Sequence, residues 1–237
     1  MPEGSPATGQ YRNPHAALAV RNWQSVSCRQ QIEAELEVSM FVQVIEGRVA
    51  DREALHRQMD RWHAELRPGA TGFLGSTAGV ADDGRALCFA RFESAAAAQA
   101  NSSRVEQGQW WSETEASFDG DVTFIDSEEV DEFRGGGSDD AGFVQVMKGH
   151  GVSRDRTRGM DERFEQHGAG FRLDLLGGLR VWTGPDRYVE VAYFTSEADA
   201  RAGEQQEPPA ELADAMKEFE ELSRNIEYID LKEPWLY

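Results

Sequence analysis

Phe41-Val42-Gln43-Val44, followed by Gly47, returns 102 residues later as Phe143-Val144-Gln145-Val146, followed by Gly149. The same offset holds through Leu74-Gly75 and Leu176-Gly177, through Arg85 and Arg187, and as far as Ser94 and Ser196. Solenoid units run only about 20–50 residues, so a repeat of this length is a duplicated domain. The 237-residue chain is 40% hydrophobic, which suffices for two cores of roughly 100 residues each.

Each repeat reads strand, helix, strand, strand, helix, strand. Met40–Glu46 has the Val, Ile and Phe content of a buried strand. Asp51 can cap a helix whose stripe is Leu55, Met59, Trp62 and Leu66, and Arg67-Pro68-Gly69 ends it. Asp82-Asp83-Gly84 between apolar runs predicts a hairpin, and Ser94 can cap an alanine-rich helix that breaks near Asn101 and resumes through Trp110–Phe118. Val122–Asp126 closes the unit. In the second repeat the pattern predicts strands at Phe143–Lys148, Leu175–Thr183, Arg187–Phe194 and Ile226–Leu231. Helices are expected at Arg154–Gln166 and Glu211–Leu222.

The divisions that follow are 40–133 for the first repeat, 134–141 for a Gly-rich linker and 142–237 for the second repeat. Residues 1–39 are expected to be a mostly disordered leader with a short helix around Gln30–Glu37, and Met40 is a candidate translation start that would make the leader dispensable.

The order βαββαβ is the ferredoxin-like arrangement, which covers one sheet face with helices and leaves the other bare. Here both faces are apolar: Phe41 and Ile45 point one way, Val42 and Val44 the other, and Phe143/Met147 and Val144/Val146 copy them. A sheet greasy on both sides needs a second layer, which the duplicate can supply within one chain. The fold class expected is therefore α+β, with two tandem ferredoxin-like repeats pairing intramolecularly into a pseudo-dimeric barrel.

Charge and composition narrow the partners. With 24 Lys+Arg against 43 Asp+Glu the net charge is -19, which disfavours nucleic acid and anionic membranes. Two cysteines, Cys28 and Cys88, support neither a disulfide scaffold nor a thiolate metal site, and the cytoplasm is the expected compartment. His56, Asp60 and His63 share a helical face, but histidines seven residues apart lie about 10 Å apart along the axis, so no metal is assigned.

On the βαββαβ order, the Phe-Val-Gln-Val openings and the aromatic residues at matching helix positions, the chain resembles the dimeric α/β-barrel superfamily. It looks most like antibiotic-biosynthesis-monooxygenase-type domains in tandem. The resemblance implies a small apolar or aromatic ligand and, if the protein is an enzyme, cofactor-independent monooxygenation. In that chemistry His63 and Gln43 would be catalytic, Trp62, Trp110, Trp111 and Gln145 would bind ligand, and no cofactor or metal would be needed. Members that degrade haem use a His after the second helix, and this chain has none between Ser102 and Asp126.

Each of these residues also has a structural explanation. Gln43 and Gln145 can tie neighbouring strands, Trp62 continues a core stripe, and adjacent tryptophans about 100° apart on a helix cannot both face the sheet. Arg85 and Arg187 can pair with acids in their turns, and Ser127–Glu132 reads as solvated acidic surface. The alternative to an enzyme is a non-catalytic ligand-binding or assembly protein. Met216-Lys217 stands where the first repeat has Trp110-Trp111, which points to at most one competent site and leaves open which repeat holds it.

Overall fold

The computed structural model describes residues 40–168 and 170–237; the expected leader, with its short helix and Cys28, lies outside them. The first repeat runs β1 (Phe41–Arg48), α1 (Arg52–Arg61), β2 (Phe73–Val80), β3 (Arg85–Phe92), α2 (Ala95–Ser102), α3 (Val105–Thr114) and β4 (Thr123–Ser127). A short strand β5 (Val130–Phe133) follows, then β6 (Phe143–His150), α4 (Arg154–His167), β7 (Leu175–Gly184) and β8 (Arg187–Phe194). The chain ends through α5 (Glu197–Gly203), α6 (Ala213–Ser223), β9 (Ile226–Leu231) and β10 (Trp235–Leu236).

Local chemistry sets the element ends. The Asp51 carboxylate accepts the Ala54 N–H at 2.9 Å, and Ser94 Oγ accepts that of Ala97, so both expected caps form. Gly84 turns the first hairpin at φ +83°, a conformation that favours glycine. All four residues of the expected stripe are buried, Leu55 and Met59 on α1 and Trp62 and Leu66 in the helical turn that continues it.

Two five-stranded antiparallel sheets result, in the orders β10-β2-β3-β1-β4 and β5-β7-β8-β6-β9. They pack face to face over a core made by Val42, Val44, Leu87 and Phe89 from one sheet and Val144, Val146, Val181, Val191 and Leu231 from the other. Val42, Val44, Val144 and Val146, which alternation sets opposite to Phe41/Ile45 and Phe143/Met147, thus face the other sheet. Thr77 Oγ1 and Tyr193 Oη meet at 2.6 Å across that buried layer.

The strand orders show an exchange between the halves. β10, at the end of the second repeat, pairs with β2, and β5, at the end of the first, pairs with β7. Ser127–Glu132, expected as solvated surface, is therefore partly an edge strand. Its Asp131 is only 13% exposed as a side chain, where it takes ion pairs from Arg154 and Arg158 and the Trp182 indole N–H. The exchange depends on a missing side chain elsewhere: a Cβ on Gly178 would lie 1.9 Å from the Phe133 ring, which occupies that space. The Gly-rich segment is likewise held, because the Arg134 guanidinium donates to the carbonyls of Phe171, Arg172 and Leu175.

One ion pair crosses the halves between equivalent positions. Lys148 donates to Glu46, and the two residues are separated by the repeat offset of 102. In a homodimer this position would set like charge against like charge. Fusion allows opposite signs on the two sides of the pseudo-two-fold.

Candidate functional site

Each repeat has a cleft between the outer face of its sheet and its helices, and the two differ greatly in volume. The first encloses about 90 Å³ and the second about 520 Å³. Ligand pockets usually span about 300–1,000 Å³, so only the second has the room of one.

The first cleft is closed by the aromatic residues that the sequence singled out. Arg67 N–H reaches the Trp62 carbonyl five residues back, a wide π-type turn that directs Trp62 and His63 toward the sheet. Trp62 Nε1 donates to Gln107 Oε1 at 2.6 Å, and Trp110 Nε1 to the Gln58 carbonyl at 2.8 Å, so both indole donors are used within the fold. Trp111 is half-buried against Phe118 and Phe124. From the other half, Trp235 stacks on His56 and Tyr237 stacks on His63 at 3.7 Å between centroids.

His63 Nε2 lies 3.2 Å from Ser76 Oγ, while its Nδ1 is buried and has no hydrogen-bond partner among the described residues. Burial, helped by the nearby Arg67 cation, lowers its pKa from 6.5 to about 4 against the opposing pull of Asp60. The imidazole is thus neutral at pH 7 and a weak base. Gln43 Nε2 donates to Asp126 Oδ1 at 2.8 Å, tying β1 to β4.

Of the expected site residues, His63, Gln43, Trp62, Trp110 and Trp111 surround the small cleft, and Gln145 alone lines the large one. Gln145 Nε2 donates to Asp230 Oδ1 at 2.9 Å, repeating the Gln43–Asp126 pair, and Asp230 also takes an ion pair from Arg201.

The walls of the second cleft are apolar and adaptable, with Met147, Met160, Phe164, Phe171, Phe194, Met216 and Phe219 among them. Its floor carries a cluster that the sequence reading missed. Arg180, with a side chain 5% exposed, donates Nε–H to Glu190 Oε2 at 2.6 Å and Nη1–H to Asp161 Oδ2 at 2.5 Å. Arg180 and Glu190 are cross-strand partners on β7 and β8, and Asp161 reaches down from α4.

One guanidinium between two carboxylates leaves the cluster one negative charge in excess. Burial pushes the Glu190 carboxyl up, against the attraction of Arg180, and Asp161 pushes it further the same way. Arg180, with two carboxylate partners, is held firmly protonated despite its burial. The signal was present in the sequence: at the 102-residue offset these three positions are Met59, Ala78 and Cys88 in the first repeat. There Ala78 and Cys88 are cross-strand partners in an apolar floor, and Trp235 pairs beside Ala78.

Comparison with solved structures places this architecture. A candidate monooxygenase from Fusobacterium nucleatum subsp. nucleatum superposes with a TM-score of 0.65 at 8% identity, over 85% of this chain and 95% of that one. One from Lactobacillus acidophilus NCFM gives 0.61 at 11% identity, over 84% of this chain and 99% of that one. The shared fold is a tandem pair of ferredoxin-like units whose sheets pack face to face. An anthrone oxidase-like protein shares this tandem arrangement at a TM-score of 0.55 and 11% identity, over 84% of this chain and 94% of that one. No protein-family model matches the chain, and comparison with curated proteins finds no match.

Among the described residues no helix is long and apolar enough to cross a membrane. None of their His, Cys, Asp or Glu side chains cluster in threes or more suited to a metal.

Proposed function

We propose that this tandem barrel binds a small, flat aromatic molecule bearing a hydroxyl or carbonyl group, and that it does so in the second cleft. The observation that carries the reading is the cavity of about 520 Å³, walled by Phe and Met and floored by the buried Arg180–Glu190 pair. Apolar walls with a few convergent polar groups are what orient a planar ligand with one polar end.

The reaction to which such a cleft is suited is oxygenation of the aromatic ligand without a cofactor; the names of the anthrone oxidase-like protein and the two candidate monooxygenases point to oxidation chemistry. An activated methylene between aryl rings loses a proton, its carbanion passes electrons to dioxygen, and a C–O bond forms. Cleavage of the O–O bond then leaves a carbonyl, with the second oxygen leaving as water. The protein's part is to exclude water and to steady the developing enolate oxygen beside a cation.

The test combines isothermal calorimetry against a panel of hydroxylated tricyclic aromatics with oxygen-uptake measurement on their anthrone forms. Binding that disappears in Phe164→Arg, whose cation would enter the apolar wall, is the expected result. Binding without oxygen uptake supports the non-catalytic reading, for which the engagement of the Arg180 guanidinium by two carboxylates of the fold speaks. Binding unchanged in Phe164→Arg and abolished by His63→Ala would return the site to the first cleft.

A further inference from the structure

The large cleft differs from its small counterpart in one chemical respect besides volume. Asp161, Arg180 and Glu190 line it where Met59, Ala78 and Cys88 line the other. Buried ion clusters are weak contributors to stability, and an apolar set in the same fold serves the first repeat. A stability role alone therefore does not account for the substitution of all three positions together.

We propose that Glu190 is the proton acceptor of the second cleft, taking the acidic proton of a hydroxyl- or enol-bearing aromatic ligand, with Arg180 and Asp161 as positioning residues. The assignment rests on the ligand reading of that cleft.

Geometry distributes the roles. Glu190 Oε2 is engaged by Arg180 Nε–H, which orients the carboxyl, and no protein hydrogen bond to Oε1 occurs among the described residues. Asp161 holds the far side of the guanidinium through Nη1 and Nη2, so the fork cannot turn away from Glu190. The groups facing Glu190 are Arg180 from β7 and Asp161 from α4, with Tyr188 on its own strand and Met147 opposite on β6. Tyr228 on β9 completes the polar surroundings of Tyr188.

In the transfer, the ligand O–H bond breaks, a Glu190 O–H bond forms, and the electron pair stays on the ligand oxygen. The net charge of the cavity is unchanged. That conservation matters in a buried site, where delivering a new charge from water would be costly. Burial, which already favours the protonated form of Glu190, makes it a stronger base than an exposed carboxylate.

The test uses the full chain and 2-hydroxyanthraquinone, whose central carbons are already oxidised, so that oxygenation cannot proceed. Its visible band reports ionisation of the hydroxyl. In the wild type the bound probe is expected to ionise at least about one pH unit below the free probe, a tenfold shift. In Glu190→Gln the midpoint should return to the free value.

The variant Asp161→Met/Arg180→Ala/Glu190→Cys, which carries the first repeat's own set, should behave likewise. It keeps the test decisive if Glu190→Gln fails to fold. A probe that binds with the same midpoint in wild type and variants refutes the proton role and leaves the ligand site standing. Loss of uptake in both variants would make Glu190 an anchor and also overturns the assignment. No uptake of the probe or of any panel compound by the wild type overturns the ligand site and this assignment together.

Discussion

Replacing Arg180 by Met keeps most of the side-chain stem and removes the one cation that serves two carboxylates. Removing one partner from a buried ion pair typically costs about 3–5 kcal/mol, because the remaining charge stays desolvated. Glu190 is 11% exposed as a side chain and recovers little water, whereas Asp161 at 23% recovers more. The low end, about 3 kcal/mol at pH 7, is therefore expected for Arg180→Met, a large share of the roughly 5–15 kcal/mol of a whole domain.

The deficit should depend on pH with a definite sign. The folded-state pKa of Glu190 is raised above 4.5, and loss of Arg180 removes the main attraction holding it down. A raised carboxyl contributes its full stability below the unfolded value and loses it as pH rises through the folded value. The gap between Arg180→Met and wild type should thus narrow as pH falls from 7 toward 5. Urea unfolding followed by tryptophan fluorescence, extrapolated linearly at each pH, measures it. A gap below about 1 kcal/mol at pH 7, or one that does not narrow in acid, would refute the reasoning.

Two further outcomes follow from the first cleft and the pseudo-two-fold. With its pKa lowered to about 4, His63 contributes stability that is present above 6.5 and lost as pH falls through about 4. His63→Phe should therefore gain relative to wild type as the pH of a urea titration drops across that window, and a constant difference would contradict the assignment. Lys148→Glu sets two carboxylates together in place of the Glu46–Lys148 pair, whose side chains are 24% and 27% exposed. A cost of about 1–3 kcal/mol is expected, largely restored by adding Glu46→Lys; a double-mutant cycle with no coupling would contradict direct pairing.

Much of the scaffold was legible because it depends on neighbours in the chain. The 102-residue repeat, the Asp51 and Ser94 caps, the Asp82-Asp83-Gly84 turn and the apolar alternation of Phe41–Ile45 are local patterns with local consequences. From them follow two ferredoxin-like sheets with bare apolar faces, and such faces close on each other because water excludes them.

What the chain alone left open was settled by contacts between distant residues. Val130–Phe133 has the composition of an acidic loop and becomes a strand because Gly178, about 45 residues away, leaves room for the Phe133 ring. Asp161, Arg180 and Glu190 are ordinary surface residue types until α4 is laid over the β7–β8 register and buries them together.

Cleft volume belongs to the same class. Tryptophans marked the first repeat as the pocket, yet packing turns them into its filling. The second repeat, with smaller and more flexible side chains, keeps the space. Whether bulk lines a cavity or occupies it depends on where side chains meet in three dimensions, and residue identity alone does not carry that information.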